Sequence, residues 1–94
     1  MIESKIVISR HAISQMFERN ISVLDIEKSI EGETIEDYPD DKPYPSRLIL
    51  LFCANRPIHV VLAENIEDKE IIVVTAYEPS LLMWEFGFRK RKLK

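Results

Sequence analysis

Three apolar stretches, at 47–54, 58–63 and 70–77, follow one another with only short polar gaps between them. Each has strand length, and the last is rich in β-branched residues. Gaps of three and six residues cannot hold the crossover that a parallel pair needs, so the three strands form an antiparallel meander. The stretches at 48–54 and 70–77 are apolar on both alternating faces. A sheet with one face in water alternates more cleanly. Both faces of this sheet therefore need cover, from the chain's own helices or from a partner.

The first third supplies helices. Residues 4–8 alternate weakly and suit a short leading strand. Ser9 is placed to cap a helix, and Ala12, Ile13, Met16 and Phe17 recur on one helical stripe. That helix should stop near Asn20. Ser22, with Asp25 three residues on, makes a capping box for a second helix whose buried face is Val23, Ile26 and Ile30. Gly32 is expected to close it as a left-handed residue. Residues 34–38 suit another strand. Pro39, Pro43 and Pro45, with Asp40 and Asp41, mark a loop, because proline cannot donate to a ladder. Pro79 suits the first turn of a closing helix packed through Leu82, Met83 and Phe86. The reading is an α+β fold: an N-terminal helical hairpin on a four- to five-stranded antiparallel sheet, with a short C-terminal helix.

The chain has 94 residues, which fits a single domain over 1–94 with a basic tail at 88–94. Two glycines, Gly32 and Gly87, exclude a phosphate-cradling glycine loop. The single cysteine, Cys53, excludes an internal disulfide and a multi-cysteine zinc site, and suits a small core residue. No stretch approaches the length of a membrane helix, and no basic-then-apolar leader opens the chain. A cytoplasmic location, with no membrane partner, is expected.

Net charge is −3, but it is unevenly spread. Arg89, Lys90, Arg91, Lys92 and Lys94 put five positive charges in the last six residues, leaving −8 on the other 88. Eight of the sixteen acids lie between Asp25 and Asp41, opposed only by Lys28. The tail can bind phosphate by counterion release or serve only as a solvated end. The acidic segment is expected to point elsewhere. Trp84 and Phe86 can offer stacking, or anchor the core.

Two histidines carry the chemistry that the chain can offer. His11, in the first turn of the first helix, can be a general base or can tie the helix to the sheet. His59, between Ile58 and Val60, can be a catalytic group or a satisfied core histidine. Tyr77 reaches His59 if their strands pair, and alternation puts Thr75 on the same face as Tyr77. Arg56 sits on a turn within reach of solvent. Arg19 can hold a phosphate or brace the hairpin. The histidines are too far apart for a helical metal pair, and the acids lack the pattern of a calcium loop. No metal and no cofactor is expected.

Ser9-Arg10-His11-Ala12, Met16 and Glu18-Arg19-Asn20-Ile21-Ser22 resemble the opening signature of a family known as domain of unknown function 4258. The resemblance runs on through Gly32-Glu33, Asp37-Tyr38-Pro39, Tyr44-Pro45, Arg56-Pro57-Ile58-His59-Val60-Val61 and Thr75-Ala76-Tyr77-Glu78-Pro79 to Trp84. Asn20 stands where the motif has glycine, and asparagine also tolerates the left-handed conformation. The resemblance implies a RelE/ParE-like toxin fold and a toxin of a toxin–antitoxin pair, neutralised by a zinc-finger antitoxin. Its activity would be metal-independent cleavage of mRNA. Acid–base chemistry would then fall to His11, His59, Tyr77 and Arg19, with Arg56, Arg89 and Arg91 holding the RNA. The alternative is a non-enzymatic protein- or nucleic-acid-binding module of the same fold; a small-molecule pocket is a third reading. Self-association is compatible with each. Convergence of His11, Arg19, Arg56, His59 and Tyr77 on one open surface would favour catalysis. Buried histidines bonded to the backbone would favour the binding module.

Overall fold

The computed structural model describes residues 4–93. The elements run β1 (Lys5–Ile8), α1 (Arg10–Arg19), α2 (Val23–Ser29), β2 (Glu33–Tyr38), β3 (Ser46–Cys53), β4 (Arg56–Asn65) and β5 (Glu70–Tyr77). One five-stranded sheet has the order β1-β5-β4-β3-β2. The meander β2-β3-β4-β5 is antiparallel as expected, whereas β1 lies parallel to β5, so the sheet is mixed. The turn-length argument governs only consecutive strands. β1 is joined to β5 through the whole chain and is free to run parallel to it.

The helix caps follow the sequence closely. The Ser9 hydroxyl accepts the Ala12 N–H, and Asn20 ends α1 in the left-handed conformation (φ 59°). Ser22 and Asp25 form the reciprocal capping box of α2. Gly32 has a different role from the one expected. α2 ends earlier, at Ser29, and Gly32 is not left-handed. A Cβ there would come 2.6 Å from Ile49 Cγ2, so glycine allows the chain to pass tightly across β3.

α1 lies against β5 and α2 against β3. Ala12, Met16, Ile21 and Ile26 pack on Ile49, Ile58, Val60, Leu62, Val73 and Ala76 to form the main core. Each expected stripe is only partly buried: Ile13 and Phe17 on α1, and Val23 on α2, face solvent. A bulge opposite Val61/Leu62 resets the alternation of β5, which is why Val73 and Ala76, three residues apart, enter the same core.

No C-terminal helix forms among the described residues. Leu82, Met83 and Phe86, its expected packed face, are all exposed. After a single turn at 81–83, the chain reverses at Gly87 (φ 93°) and Phe88 (φ 63°), which no helix accommodates. The Glu85 N–H donates to the Lys90 carbonyl and the Lys92 N–H to the Met83 carbonyl, with Trp84 bridged to Arg91. Residues 79–93 thus form a small irregular hairpin, a strap, laid on the sheet face opposite the helices. Trp84 is buried beneath it. Lys94, the last of the five tail charges, lies outside the described residues.

Candidate functional site

The strap closes over His59, a wholly buried residue (0% exposed). β4 points His59 away from the helices, because its neighbours Ile58 and Val60 point towards them. Tyr77 is its direct cross-strand partner, as the pairing of β4 with β5 was expected to give. His59 Nε2 lies 2.9 Å from the Phe88 carbonyl oxygen, and Nδ1 lies 3.1 Å from the Tyr77 hydroxyl. A carbonyl oxygen can only accept, so Nε2 carries the proton. Nδ1 then accepts from Tyr77. Burial holds the His59 pKa below the usual histidine value, which keeps this neutral tautomer. Burial also pushes the Tyr77 hydroxyl up. The Trp84 ring meets the imidazole edge-on, with centroids 4.4 Å apart.

The strap's charges clamp it to β2. The Arg91 guanidinium lies 4.6 Å above the Trp84 ring and makes two bonds, of 2.9 and 3.0 Å, to the Glu36 carboxylate. Tyr38 also donates to Glu36. These bonds, Arg91's above all, hold the Glu36 carboxyl below the usual carboxylate range although burial opposes them. Arg89 Nε bonds both oxygens of Glu33 at 2.9 Å. The acidic segment therefore meets the tail instead of pointing elsewhere. Two of the five tail cations are spent inside the molecule.

His11 stands apart. It is exposed in the first turn of α1, with Nε2 3.0 Å from Thr75 Oγ1. Its partner Thr75 stands opposite Val61, two residues before Tyr77 on β5, while Tyr77 meets His59 under the strap. The structure brings His59 and Tyr77 together, places Arg91 beyond Trp84, and leaves His11, Arg19 and Arg56 elsewhere. Glu36, Tyr38 and Trp84 complete the His59 cluster and were not singled out for it from sequence. The signal was present in the charge blocks, eight acids at 25–41 and five bases at 89–94, which read as partners once they are compared with each other.

Arg56 is an organising residue. Its guanidinium donates to the carbonyls of Arg19 (2.7 Å) and Asn20 (2.9 Å) at the end of α1, and lies 3.8 Å from the Glu78 carboxylate. Next to it, Asp25 shares a hydrogen bond with the Cys53 thiol, which burial pushes up in pKa. Burial pushes the Asp25 carboxyl up too, but bonds from Cys53 and Ser22 and the Arg56 charge hold it low. These contacts draw the α1–α2 turn, the β3–β4 turn and the exit from β5 to one end of the sheet. The same end carries Phe17 (89% exposed), Val23, Leu24, Phe52, Leu81 and Leu82 (87% exposed). The opposite end holds the acidic loop at 39–45 and the β4–β5 turn.

Among the described residues, no group of three or more His, Cys, Asp or Glu side chains is arranged to hold a metal ion. No described helix is long and apolar enough to cross a membrane. Neither the curated proteins nor the solved structures compared with the chain gave a match. The family model described as domain of unknown function (DUF4258) matches residues 8–78, from the end of β1 through all of β5. The chain belongs to that family.

Proposed function

We propose that the chain is a binding module that engages a protein partner through the apolar end gathered round Arg56. The observation that carries this reading is the number of large apolar side chains left in solvent there. Phe17, Val23, Leu24, Phe52, Leu81 and Leu82 are exposed on segments tied to one guanidinium. Single exposed apolar residues are ordinary, but such a concentration marks an interaction surface. The state of His59 supports the same reading. Its two nitrogens are engaged, one by a backbone carbonyl, and the ring is sealed under the strap.

A partner such as the zinc-finger antitoxin expected from the RelE/ParE resemblance would cover this end. The test is co-expression with the product of the neighbouring gene, using wild type and Phe17→Ser/Leu24→Ser. Both substitutions fall on exposed side chains and should leave the circular dichroism and melting temperature intact. Stoichiometric co-purification with wild type, lost in the double variant, is the expected result. A partner that binds the double variant equally well overturns the reading.

A metal-independent mRNA endoribonuclease of the toxin type is the second reading, and the exposed imidazole of His11 favours it. His11 can act as general base from the surface, with Arg19 an exposed cation at the far end of the same helix, about 12 Å away along its axis. His59 and Tyr77 could take part only with the strap displaced. RNA cleavage by the purified wild type that disappears in His11→Ala and persists in His59→Gln would support this reading. No cleavage by folded wild type would end it.

A further inference from the structure

The strap covers only part of its face of the sheet. Beyond it, towards the acidic end, Val61, Ala63, Ile72 and Val74 form an apolar floor, walled by Pro43 and Tyr44 of the loop between β2 and β3. The space, open on one side to solvent, is about 210 Å³. The wall is built in place. The Ser46 hydroxyl donates to Asp41 Oδ2 at 2.6 Å, the Glu64 N–H donates to the Pro45 carbonyl at 3.1 Å, and the nearly buried Asn65 amide donates to the Tyr44 hydroxyl at 3.0 Å. Asn65 is fixed in turn by Asp68, which it meets through both its amide nitrogen and its carbonyl oxygen. The loop therefore stands over the floor without needing a ligand to order it, as pre-formed small-molecule sites do.

We infer that this cleft is a binding site for a small arylalkyl amine, with the ring on the Val61–Ile72–Val74 floor and the ammonium at Asp41. Size sets the first half of that class. A cavity of about 150 Å³ lined by aliphatic side chains is enough to hold benzene, so this one takes a ring and a short tail. Charge sets the second half. Asp41 lines the rim with one oxygen bonded to Ser46 and the other facing no protein donor among the described hydrogen bonds. The two turns at this end of the molecule carry Asp40, Asp41, Glu67 and Asp68 against Lys42 and Lys69, a surplus of acid around a cleft whose own rim holds Asp41 and Lys42. Lys42, also on the rim, is exposed and free to turn its ammonium into water. The site lies away from the Arg56 end, its floor beginning at Val61, two residues along β4 from His59, and is independent of the proposed protein partner.

The probes are 2-phenylethylamine, 2-phenylethanol and 3-phenylpropionate, which share a ring and differ in head-group charge. Each is titrated into the full chain and followed by amide chemical shifts in a nitrogen–proton spectrum. The expected result is saturable movement of the Val61, Ala63, Ile72 and Val74 signals, strongest for the amine. Asp41→Asn should weaken the amine about fivefold to tenfold, the size expected for one charged hydrogen bond at a solvated rim, and bring it level with the alcohol. Val74→Trp, which fills the cleft from a half-exposed position, should abolish binding of all three with the fold unchanged. No saturable shift with the amine, equal affinity for the three probes, or shifts confined to the Arg56 end would each overturn the inference.

Discussion

On one face of the sheet, Ile49, Ile58, Val60, Leu62, Val73 and Ala76 meet Ala12, Met16 and Ile26 in contacts that are apolar throughout. On the other, a buried histidine, a tyrosine and a tryptophan meet under a strap whose outer bonds are two arginine–carboxylate pairs. Both faces are covered, the second only in part, and by different physics. The helix face gains from the area it removes from water and from tight packing, which depend little on salt or pH. The strap face gains from Trp84 burial, directional hydrogen bonds and partly solvated charge, so its closure responds to conditions that leave the helix face alone.

The largest expected effect separates the faces by depth of packing. Ile58→Ala removes a wholly buried side chain from the helix-face core and should cost about 2–5 kcal/mol in a urea unfolding experiment. At that cost a domain of ordinary stability, about 5–15 kcal/mol, loses a large part of its margin. An Ile58→Ala protein within about 1 kcal/mol of wild type would mean that this face is not the main source of stability.

His59→Leu probes the other face at comparable volume. It leaves the Phe88 carbonyl and the Tyr77 hydroxyl without their buried partner, for an expected loss of about 1–3 kcal/mol per unsatisfied group. The local readout is Trp84, the only tryptophan, whose emission should shift red as the strap loosens. Unchanged emission with a large loss of stability would mean that the strap does not open as a separate unit.

The difference between the faces also explains what could be read from the sequence. The meander, the two N-caps and Asn20 at the α1 end follow from local chemistry: spacing, turn length, and one side chain reaching three residues along the chain. The β4–β5 pairing even brings Tyr77 to His59. The strap was not legible, because Pro79 and an apolar run satisfy a helix pattern until Gly87 and Phe88 reverse the chain. Nor was the division of the candidate site. It turns on contacts made far along the chain, His11 with Thr75 and His59 with Phe88, and no local pattern records them. Val23 and Phe17 match a buried stripe equally well from sequence, yet only Ala12, Met16 and Ile26 of those stripes are buried.

Titration sharpens the comparison further. The folded pKa of His59 lies below its ordinary value of 6.5, so between the two the unfolded chain binds more protons. The stability that His59 contributes is complete above about pH 6.5 and is lost as pH falls through the lowered folded value. Glu36 acts in a more acidic window: its pKa is depressed by Arg91, so its contribution is held above about pH 4.5 and lost as pH falls through its folded value. Stability measured from pH 8 to 3 should fall in these two steps, and His59→Gln should remove the upper one. Persistence of that step in the variant would assign it to another group.

Smallest of all should be the effect of opening the clamps singly. Arg91→Ala gives up a half-exposed ion pair, for at most about 1 kcal/mol, and a cation–π contact of about 0.5–1 kcal/mol at an exposed site; raised salt should shrink the ion-pair share. Arg89→Ala should do less, because Arg89 and Glu33 are both about half exposed and Arg89 stacks on no ring. The two arginines thus form an internal control. Both pair with β2 carboxylates at 2.9 Å, but only Arg91 lies over Trp84. If the strap is held by charge alone, the two variants should loosen it equally, and 1 M salt should erase the difference from wild type. If Trp84 burial holds it and charge only trims it, Arg91→Ala alone should shift the emission, and salt should leave wild type closed. The second pattern is expected, since salt screens the exposed pairs and leaves a buried indole where it is.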